Sequence, residues 1–512
     1  MSQPPPTPDP DTGARVSASL LRGAAWIGIA RIIVSILGAI STLALARLLM
    51  PDDFGLVAIA LTVIALLSVV SDLSVGNALI QADDLTEDHY HAAFTLGLLR
   101  SVILAVVVAA VAVPMSRIYD DPRLTNIMLV LAVTCFVSGL HNPKMADFAR
   151  ALKFGPSQFI GVAQKLAGFV VCITLAIIYR SYWALVLGSV AAQIVQVAVG
   201  YALIRYRPRV SLRRAKSILN FSIWLTLGAW VQTLSWRSDP LVLGYFVPTA
   251  ALGQYTMSNR VTNLVTQELT SPVALVLFPA FSRMKHEGHR LRHAYTKAVA
   301  ILASLSLPVA IGLAVSAELA VPLVLGAKWA PAIPYFQILG VCAAIKSIQH
   351  VQPIAMATGH TQGLFGREVR AFCIRAPLLV AGIYIGLHTS IGVLMGALIG
   401  RLVAIVFNSF WNMTLIARIS DVTLGHQMRA VWRPVLASTV MALLVLGAEA
   451  RMTDIGLSSW LTLLSTVVLG GVAYAVIMAG TWLAAGRPAG LESTVWDLSR
   501  GFPMRLRRLR AS

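Results

Sequence analysis

Residues 237–283 read RSDPLVLGYFVPTAALGQYTMSNRVTNLVTQELTSPVALVLFPAFSR. The pattern predicts that one apolar helix ends at Asp239, that the chain turns through residues 247–249, and that a second helix follows. Polar side chains recur along this second helix at steps of four, three, four and three residues, at Thr256, Arg260, Asn263, Gln267 and Thr270. Such spacing places them on one face. A polar stripe with an arginine, in a helix otherwise suited to lipid, faces protein or a water-filled cavity. We interpret this face as part of the wall of a transport path.

The composition is that of a membrane protein. The chain has 512 residues, of which 57% are hydrophobic and 12% charged, whereas a soluble domain carries about twice that charged fraction. Its four cysteines lie inside apolar runs without metal-type spacing, so we expect packing residues rather than disulfides or metal ligands. We find no phosphate loop, zinc motif or Ser/His/Asp arrangement, and we expect neither an enzyme nor a cofactor.

Long apolar runs predict an all-α polytopic protein with about fourteen transmembrane helices. The predicted spans are 21–46, 54–81, 93–116, 124–142, 157–179, 182–204, 217–238, 250–279, 295–317, 330–357, 365–386, 389–416, 431–449 and 456–484. The seventh, eighth and tenth are the least uniformly apolar. We expect a disordered cytoplasmic tail (1–20), an N-terminal lobe of six helices (21–212), a C-terminal lobe of six (213–417), an extra helix pair (418–486) and a basic cytoplasmic tail (487–512).

Basic residues give the orientation. With the N-terminus placed in the cytoplasm, the predicted inner segments hold 27 Lys and Arg and the outer segments seven. This asymmetry predicts that both termini are cytoplasmic. The net charge of +19 is therefore mainly a topology signal. We expect the RLRRLR run at 505–510 to contact anionic membrane lipids, and we expect no nucleic-acid partner.

Two pairs of similar segments predict an internal repeat, and in each pair the segments are about 200 residues apart. Residues 45–57 (LARLLMPDDFGLV) resemble residues 243–255 (LGYFVPTAALGQY), and Gly188 with Gln193 parallels Gly396 with Arg401. Two lobes related by a pseudo-twofold axis along the membrane normal, with a path between them, are the simplest architecture.

Seven basic residues fall inside the predicted spans, where a cation costs at least about 2.5–3.5 kcal/mol. Arg100, Lys165 and Arg375 lie two to three turns from the predicted inner helix ends, so snorkelling accounts for them. Arg31, Arg260 and Arg401 lie about 15–20 Å deep, and Lys346 is intermediate. We predict that these four line a cavity and bind substrate, with a buried ion pair as the alternative.

Other polar groups belong to the same predicted cavity. Asn263 and Gln267 lie on the stripe with Arg260, and Asn408 shares a helix face with Arg401. The candidate acids for binding a coupling cation or pairing with an arginine are Asp72, Asp239 and Glu268. Because the basic residues outnumber these acids, we expect a cationic path that suits an anionic substrate such as a phosphate.

The chain resembles the Wzx-type polysaccharide flippases of the superfamily that includes MATE antiporters and the lipid II flippase. The resemblance rests on residues 46–60 (ARLLMPDDFGLVAIA), 71–81, 238–255, 277–283 (LFPAFSR) and 307–340. It implies transfer of undecaprenyl-pyrophosphate-linked oligosaccharide across a bacterial inner membrane by alternating access through a cationic central cavity, for exopolysaccharide, capsule or O-antigen synthesis. It also implies H⁺ or Na⁺ as coupling ion and association with polymerase machinery. Pro240 departs from the family pattern, in which a polar residue usually follows the aspartate at 239.

Two other classes of function stay open at this point. A membrane glycan polymerase or ligase would use acids in an outer loop, and the pairs Asp52-Asp53 and Asp120-Asp121 lie in predicted outer loops. The loop at 47–53 is short, however, and Asp52 or Asp53 is more simply the N-cap of the next helix. A MATE-like drug antiporter would favour a cavity of acids and aromatics, which the basic residues argue against.

Overall fold

The computed structural model describes residues 10–70, 79, 85–151, 153–213, 233–235, 237–284, 286–348, 351–358, 361–420, 422–488, 490–493 and 496. Every regular element in these ranges is a helix. A helix pairs its backbone N–H and C=O groups within its own segment, which a chain crossing hydrocarbon requires. The predicted all-α membrane fold is confirmed.

The chain divides into two compact units, residues 1–250 and 251–512. The first contains α1 (Pro10–Leu48), α2 (Pro51–Val70), α3 (Glu87–Ile118), α4 (Arg123–Ser138), α5 (Ala146–Arg150), α6 (Phe154–Tyr179), α7 (Trp183–Leu203) and α8 (Asp239–Phe246). Helix α6 packs on α1 and α7, α4 packs on α3 and α7, and α8 packs on α2.

Helix α9 (Thr249–Arg283) begins with the last two residues of the first unit and continues into the second. The second unit continues with α10 (Gly288–Val315), α11 (Ala317–Ala320), α12 (Ile333–Ser347), α13 (Val351–Ala357), α14 (Thr361–His388), α15 (Val393–Ser420), α16 (Leu424–Asp454) and α17 (Ser459–Ala484). Its buried core gathers around α10, which packs on α12 and α16.

Ten described helices are long and apolar enough to cross a membrane, and an eleventh span is possible where α4 and the 143–150 segment meet at a 62° bend. The ten helices correspond to ten of the fourteen predicted spans. The bent segment corresponds to the fourth predicted span. Span seven falls largely outside the described residues. Span eight is α9, which is less uniformly apolar than the ten, and span ten is divided between α12 and α13. The count of fourteen therefore stays a prediction.

Three boundaries differ from the prediction. Helix α1 begins at Pro10, where proline suits the first helical turn, so residues 10–20 are helical rather than a tail. Asp239 opens α8 instead of ending a helix; it is the first residue, and Pro240 follows at a position where no intrahelical N–H is needed. The units divide at 250, while the predicted lobe boundary at 212–213 borders undescribed residues and stays a prediction, as does the pseudo-twofold axis.

Helices α14 and α15 approach each other through glycines on both sides. A Cβ added at Gly382 would lie 2.3 Å from the Gly396 carbonyl oxygen, and one added at Gly396 would lie 2.2 Å from that of Gly382. Gly386 and Gly400, one turn further along each helix, make equally close backbone contacts. Small residues at four-residue spacing allow such approach in membranes. Gly392, with φ +84°, lies in the turn that joins the two helices.

The sequence echo at Gly188 and Gly396 has a packing counterpart. A Cβ on Gly188 would lie 2.7 Å from the Cys172 Cβ and 3.2 Å from the Gly168 carbonyl oxygen. Gly188 thus lets α7 approach α6 in the first unit, as Gly396 lets α15 approach α14 in the second. The two positions make the same kind of contact.

We expect Gly396→Ala to lower stability by about 1–3 kcal/mol, because the new methyl group would overlap a rigid backbone rather than a flexible side chain. Gly471→Ala on α17 is the matched control, since nothing lies within 4 Å of its added Cβ. Both changes raise helix propensity by the same amount. The difference in stability between the two variants therefore measures the effect of packing. Thermal unfolding of the two purified variants in detergent measures it; equal melting temperatures would contradict the described contact.

Candidate functional site

Arg401 is the most deeply buried of the predicted substrate-binding cations, with 8% of its surface exposed. Its Nη1 donates to the Tyr255 hydroxyl at 2.6 Å and its Nη2 donates to Asn259 Oδ1 at 3.0 Å. Both partners lie on α9, one turn apart. Hydrogen bonds from a charged donor are stronger than those between neutral groups, so Arg401 on α15 fixes the rotation of α9 about its axis.

A group of cations that includes Arg401 lies around the Cys342 thiol. The thiol of Cys342 on α12 is within electrostatic range of Arg401, Lys346 and Arg375, which come from α15, α12 and α14. Lys346 follows Cys342 by one helical turn and is half-buried. The structure therefore brings together two predicted substrate-binding residues, Arg401 and Lys346. It adds Arg375, which the sequence analysis attributes to snorkelling.

The polar stripe of α9 lies on the surface of the second unit. Arg260 and Gln267 are exposed and Asn263 is half-buried. The other side of the helix is more buried and contains Tyr255, Ser258, Thr262 and Thr266. An exposed arginine and glutamine on an otherwise apolar helix do not suit a lipid-facing surface.

Asn408 lies on the less exposed face of α15. It is half-buried, as expected for its predicted face, which it shares with the buried Arg401 and Asn412. The exposed side of the helix is instead apolar, with Val403, Val406, Phe407, Phe410 and Trp411. This division is the one predicted for a helix with a lipid-facing and a protein-facing side.

Arg31 belongs to the first unit, on α1, and is half-buried. The large exposed hydrophobic residues of this helix include Ile29, Ile32, Ile36 and Ile40. The face that Arg31 shares with Gly38 and Thr42 is more buried. Arg31 therefore lies on the protein-facing side of α1.

The three candidate acids have different surroundings. Asp239 is buried, with 4% of its surface exposed, at the first position of α8, where the helix dipole favours a negative charge. Glu268 is half-buried on α9 next to Gln267. Asp72 lies outside the described residues.

Asp52 and Asp121, one acid from each predicted outer-loop pair, make structural bonds. Asp52 accepts from Arg123 Nη1 at 2.9 Å and from the Thr249 hydroxyl. Asp121 accepts from the backbone N–H of Arg123 at 2.9 Å and from its guanidinium at 2.7 Å. These bonds tie the start of α4 to the starts of α2 and α9.

Asp53 joins two helix N-termini. It accepts from the Met50 N–H at 2.9 Å and from the Tyr182 N–H at 3.0 Å. Asp53 is thus the third residue of α2, reaching back as in a capping box, and the expected N-cap position at Asp52 or Asp53 is wrong by two or three residues. Three of the four acids in the predicted outer-loop pairs, Asp52, Asp53 and Asp121, thus make bonds at helix ends.

Arg401→Gln should lower the free energy of unfolding by about 1.5–3 kcal/mol or more, because each hydrogen bond to a charged group contributes on that order. Tyr255→Phe should cost less, since it removes one of the two bonds. Arg429→Gln, on the exposed side of α16, is the control for arginine removal. Reversible unfolding in mixed micelles measures all three; an Arg401→Gln protein as stable as the control would refute the described anchoring.

Comparison with known proteins places these features in a family. The family model described as polysaccharide biosynthesis protein matches residues 44–334. The lipopolysaccharide biosynthesis protein WzxC of Escherichia coli (strain K12) is 26% identical over 400 residues, which cover 76% of this chain and 80% of that protein. The teichuronic acid biosynthesis protein TuaB of Bacillus subtilis (strain 168) is 21% identical over 468 residues, covering 90% and 96%.

Solved structures agree on the fold. The lipid II flippase MurJ in an inward closed conformation superposes with a TM-score of 0.74 at 12% identity, over 90% of this chain and 99% of that one. An inward-facing MATE-family multidrug resistance transporter of the MOP superfamily gives a TM-score of 0.56 at 14% identity, over 77% and 99%. With more than half of its length matched by the family model, this multi-pass membrane chain belongs to the polysaccharide biosynthesis protein family.

Proposed function

We propose that this protein flips undecaprenyl-pyrophosphate-linked oligosaccharide repeat units from the inner to the outer leaflet of a bacterial inner membrane. The units would feed the synthesis of exopolysaccharide, capsule or O-antigen. The relatives support this proposal by name, since WzxC is a lipopolysaccharide biosynthesis protein and ExoT of Rhizobium meliloti (strain 1021) a succinoglycan biosynthesis transport protein. The MurJ fold is that of a lipid II flippase.

The observation that carries the proposal is the grouping of cations on helices of the second unit. Arg401, Lys346 and Arg375 act on one point, and Arg260 is exposed on the polar stripe of α9 next to Asn259, which binds Arg401. A diphosphate needs nearby positive charges inside a membrane, because it carries several negative charges that hydrocarbon cannot solvate. Arginine matches phosphate oxygens with a fork of donors.

The role that we propose for each residue follows from its exposure. Arg260, Lys346 and Arg31 are exposed or half-buried, so they contact the diphosphate or acidic sugars directly. Arg401 is held by Tyr255 and Asn259. It affects the substrate indirectly, through its charge and by setting the orientation of α9. The polar groups Asn263, Gln267 and Asn408 bind sugar hydroxyls. The lipid tail stays in the bilayer, and alternating access exposes the site to each leaflet in turn.

Export of cationic drugs, as in a MATE-like antiporter, fits these residues less well. A cationic substrate needs carboxylates, and Asp239 and Glu268 are the candidate acids that the described residues supply. In the flippase they instead bind the coupling ion, H⁺ or Na⁺, or pair with an arginine. Both termini face the cytoplasm on this proposal, as the basic segments predict, and polymerase machinery receives the product.

Deleting the gene should cause lipid-linked repeat units to accumulate on the cytoplasmic face, with loss of surface polysaccharide, because synthesis continues while transfer stops. Labelling of the lipid-linked sugars with a membrane-impermeant probe, before and after permeabilisation, gives the leaflet. Plasmid-borne wild-type protein should restore export. Accumulation of single units on the outer face would mean that transfer is intact, and would favour a polymerase.

Arg260→Gln should lower polysaccharide export by about tenfold or more at matched expression, because a charged hydrogen bond is worth about 1.5–3 kcal/mol. Arg31→Gln should act similarly, and Arg401→Gln should combine reduced export with reduced stability. Arg429→Gln again serves as control. Export at the wild-type level in all three variants would refute the assignment of these cations to the substrate.

A further inference from the structure

Lys165 lies deeper in the membrane than its sequence position indicates. The apolar part of α6 runs from Gly155 to Tyr179, so Lys165 is ten residues from its start, about 15 Å at 1.5 Å per residue. The hydrocarbon core is about 30 Å thick, so this depth is close to its middle. The sequence analysis begins this span at residue 157 and attributes Lys165 to snorkelling; the longer helix makes a path to the headgroups harder.

The Lys165 side chain is directed at α1. A Cβ built on Gly38 would lie 3.8 Å from both Cε and Nζ of Lys165, so the ammonium end lies against α1 where that helix has no side chain. Gly38 is buried, and its carbonyl accepts from the buried Thr42 hydroxyl at 2.8 Å. The charged end of Lys165 is therefore on the protein side of the α1–α6 pair and not in lipid.

Arg31 lies on the same face of α1. It precedes Gly38 by seven residues, two turns of helix or about 10 Å along the axis. The exposed isoleucines of α1 lie on the other side. Two cations from neighbouring helices thus share one protein-facing surface of the first unit. Arg31 lies nearer the start of its span, Trp26–Leu48, and Lys165 lies where a charge is costly and is retained for function.

We propose that Lys165, together with Arg31, is a specificity-determining contact for the diphosphate of the lipid-linked substrate. This inference rests on the proposed function and names the group of the substrate that the first unit recognises. A diphosphate offers two anionic centres to the two cations, whereas a monophosphate offers one. Lys165 therefore contributes more to binding of the diphosphate than of the monophosphate.

The test compares the binding of two lipids to the purified full-length protein in nanodiscs. The probes are undecaprenyl diphosphate and undecaprenyl monophosphate, and binding is followed by native mass spectrometry. Lys165→Gln should weaken diphosphate binding by about tenfold, the effect of 1.4 kcal/mol, and monophosphate binding by less. Lys165→Arg, which keeps the charge, should retain the preference for diphosphate.

The matched control is Lys153→Gln, which makes the same change at the exposed residue that precedes α6 and should leave both affinities unchanged. Lys165→Met, which keeps the apolar length of the side chain, replaces Lys165→Gln if that variant melts early. A neutral variant with the wild-type melting temperature and an unchanged preference for diphosphate would overturn the inference but leave the proposed function standing. Wild-type protein that binds neither lipid would overturn both.

Discussion

A positive charge inside a membrane has to be kept away from hydrocarbon. In the second unit, the buried Arg401 is one such charge, and it connects α15 to α9. Arg401 is held by a phenol and an amide on α9, the buried Tyr255 and the half-buried Asn259. Because successive residues of a helix point about 100° apart, holding Asn259 inward turns its neighbour Arg260 outward. The orientation of the polar stripe thus depends on a hydrogen bond made by a residue that is 142 positions away in the sequence.

The glycine contacts between α14 and α15 place the cations relative to one another. Gly400 lies against the Leu378 carbonyl, where an added Cβ would be 2.2 Å from the oxygen. Arg401 follows Gly400, and Arg375 precedes Leu378 by one turn. Close backbone approach therefore brings the two arginines to the same level, although a larger residue at Gly400 would push their helices apart. Packing and electrostatics are linked at this point of the fold.

Long apolar runs predicted ten of the spans that the structure describes, because a helix that crosses lipid has to be apolar along its whole length. The shared face of Arg401 and Asn408 on α15 followed from their spacing. Apolar patterning could not locate the start of α8 at Asp239. That boundary depends on Pro240, which is favoured in the first turn of a helix. The snorkelling interpretation of Arg375 and Lys165 stays a prediction, because the neighbours that a long side chain reaches are not encoded in a local pattern. The roles of Asp52 and Asp121 depend on partners such as Thr249, 197 positions from Asp52, and local patterns do not contain that information.

The choice of partners separates structural charges from charges that can act on a substrate. Arg123 is paired with Asp52 and Asp121, and Arg433 is paired with Glu492 at 2.8 Å. A carboxylate cancels most of the field of the cation that it binds. Two hydrogen bonds of Arg401 go to neutral groups, Tyr255 and Asn259, and these bonds help to fix the guanidinium in position. Neutral partners position a cation without adding a negative charge of their own, which suits contact with an anionic substrate that must bind and leave in every cycle.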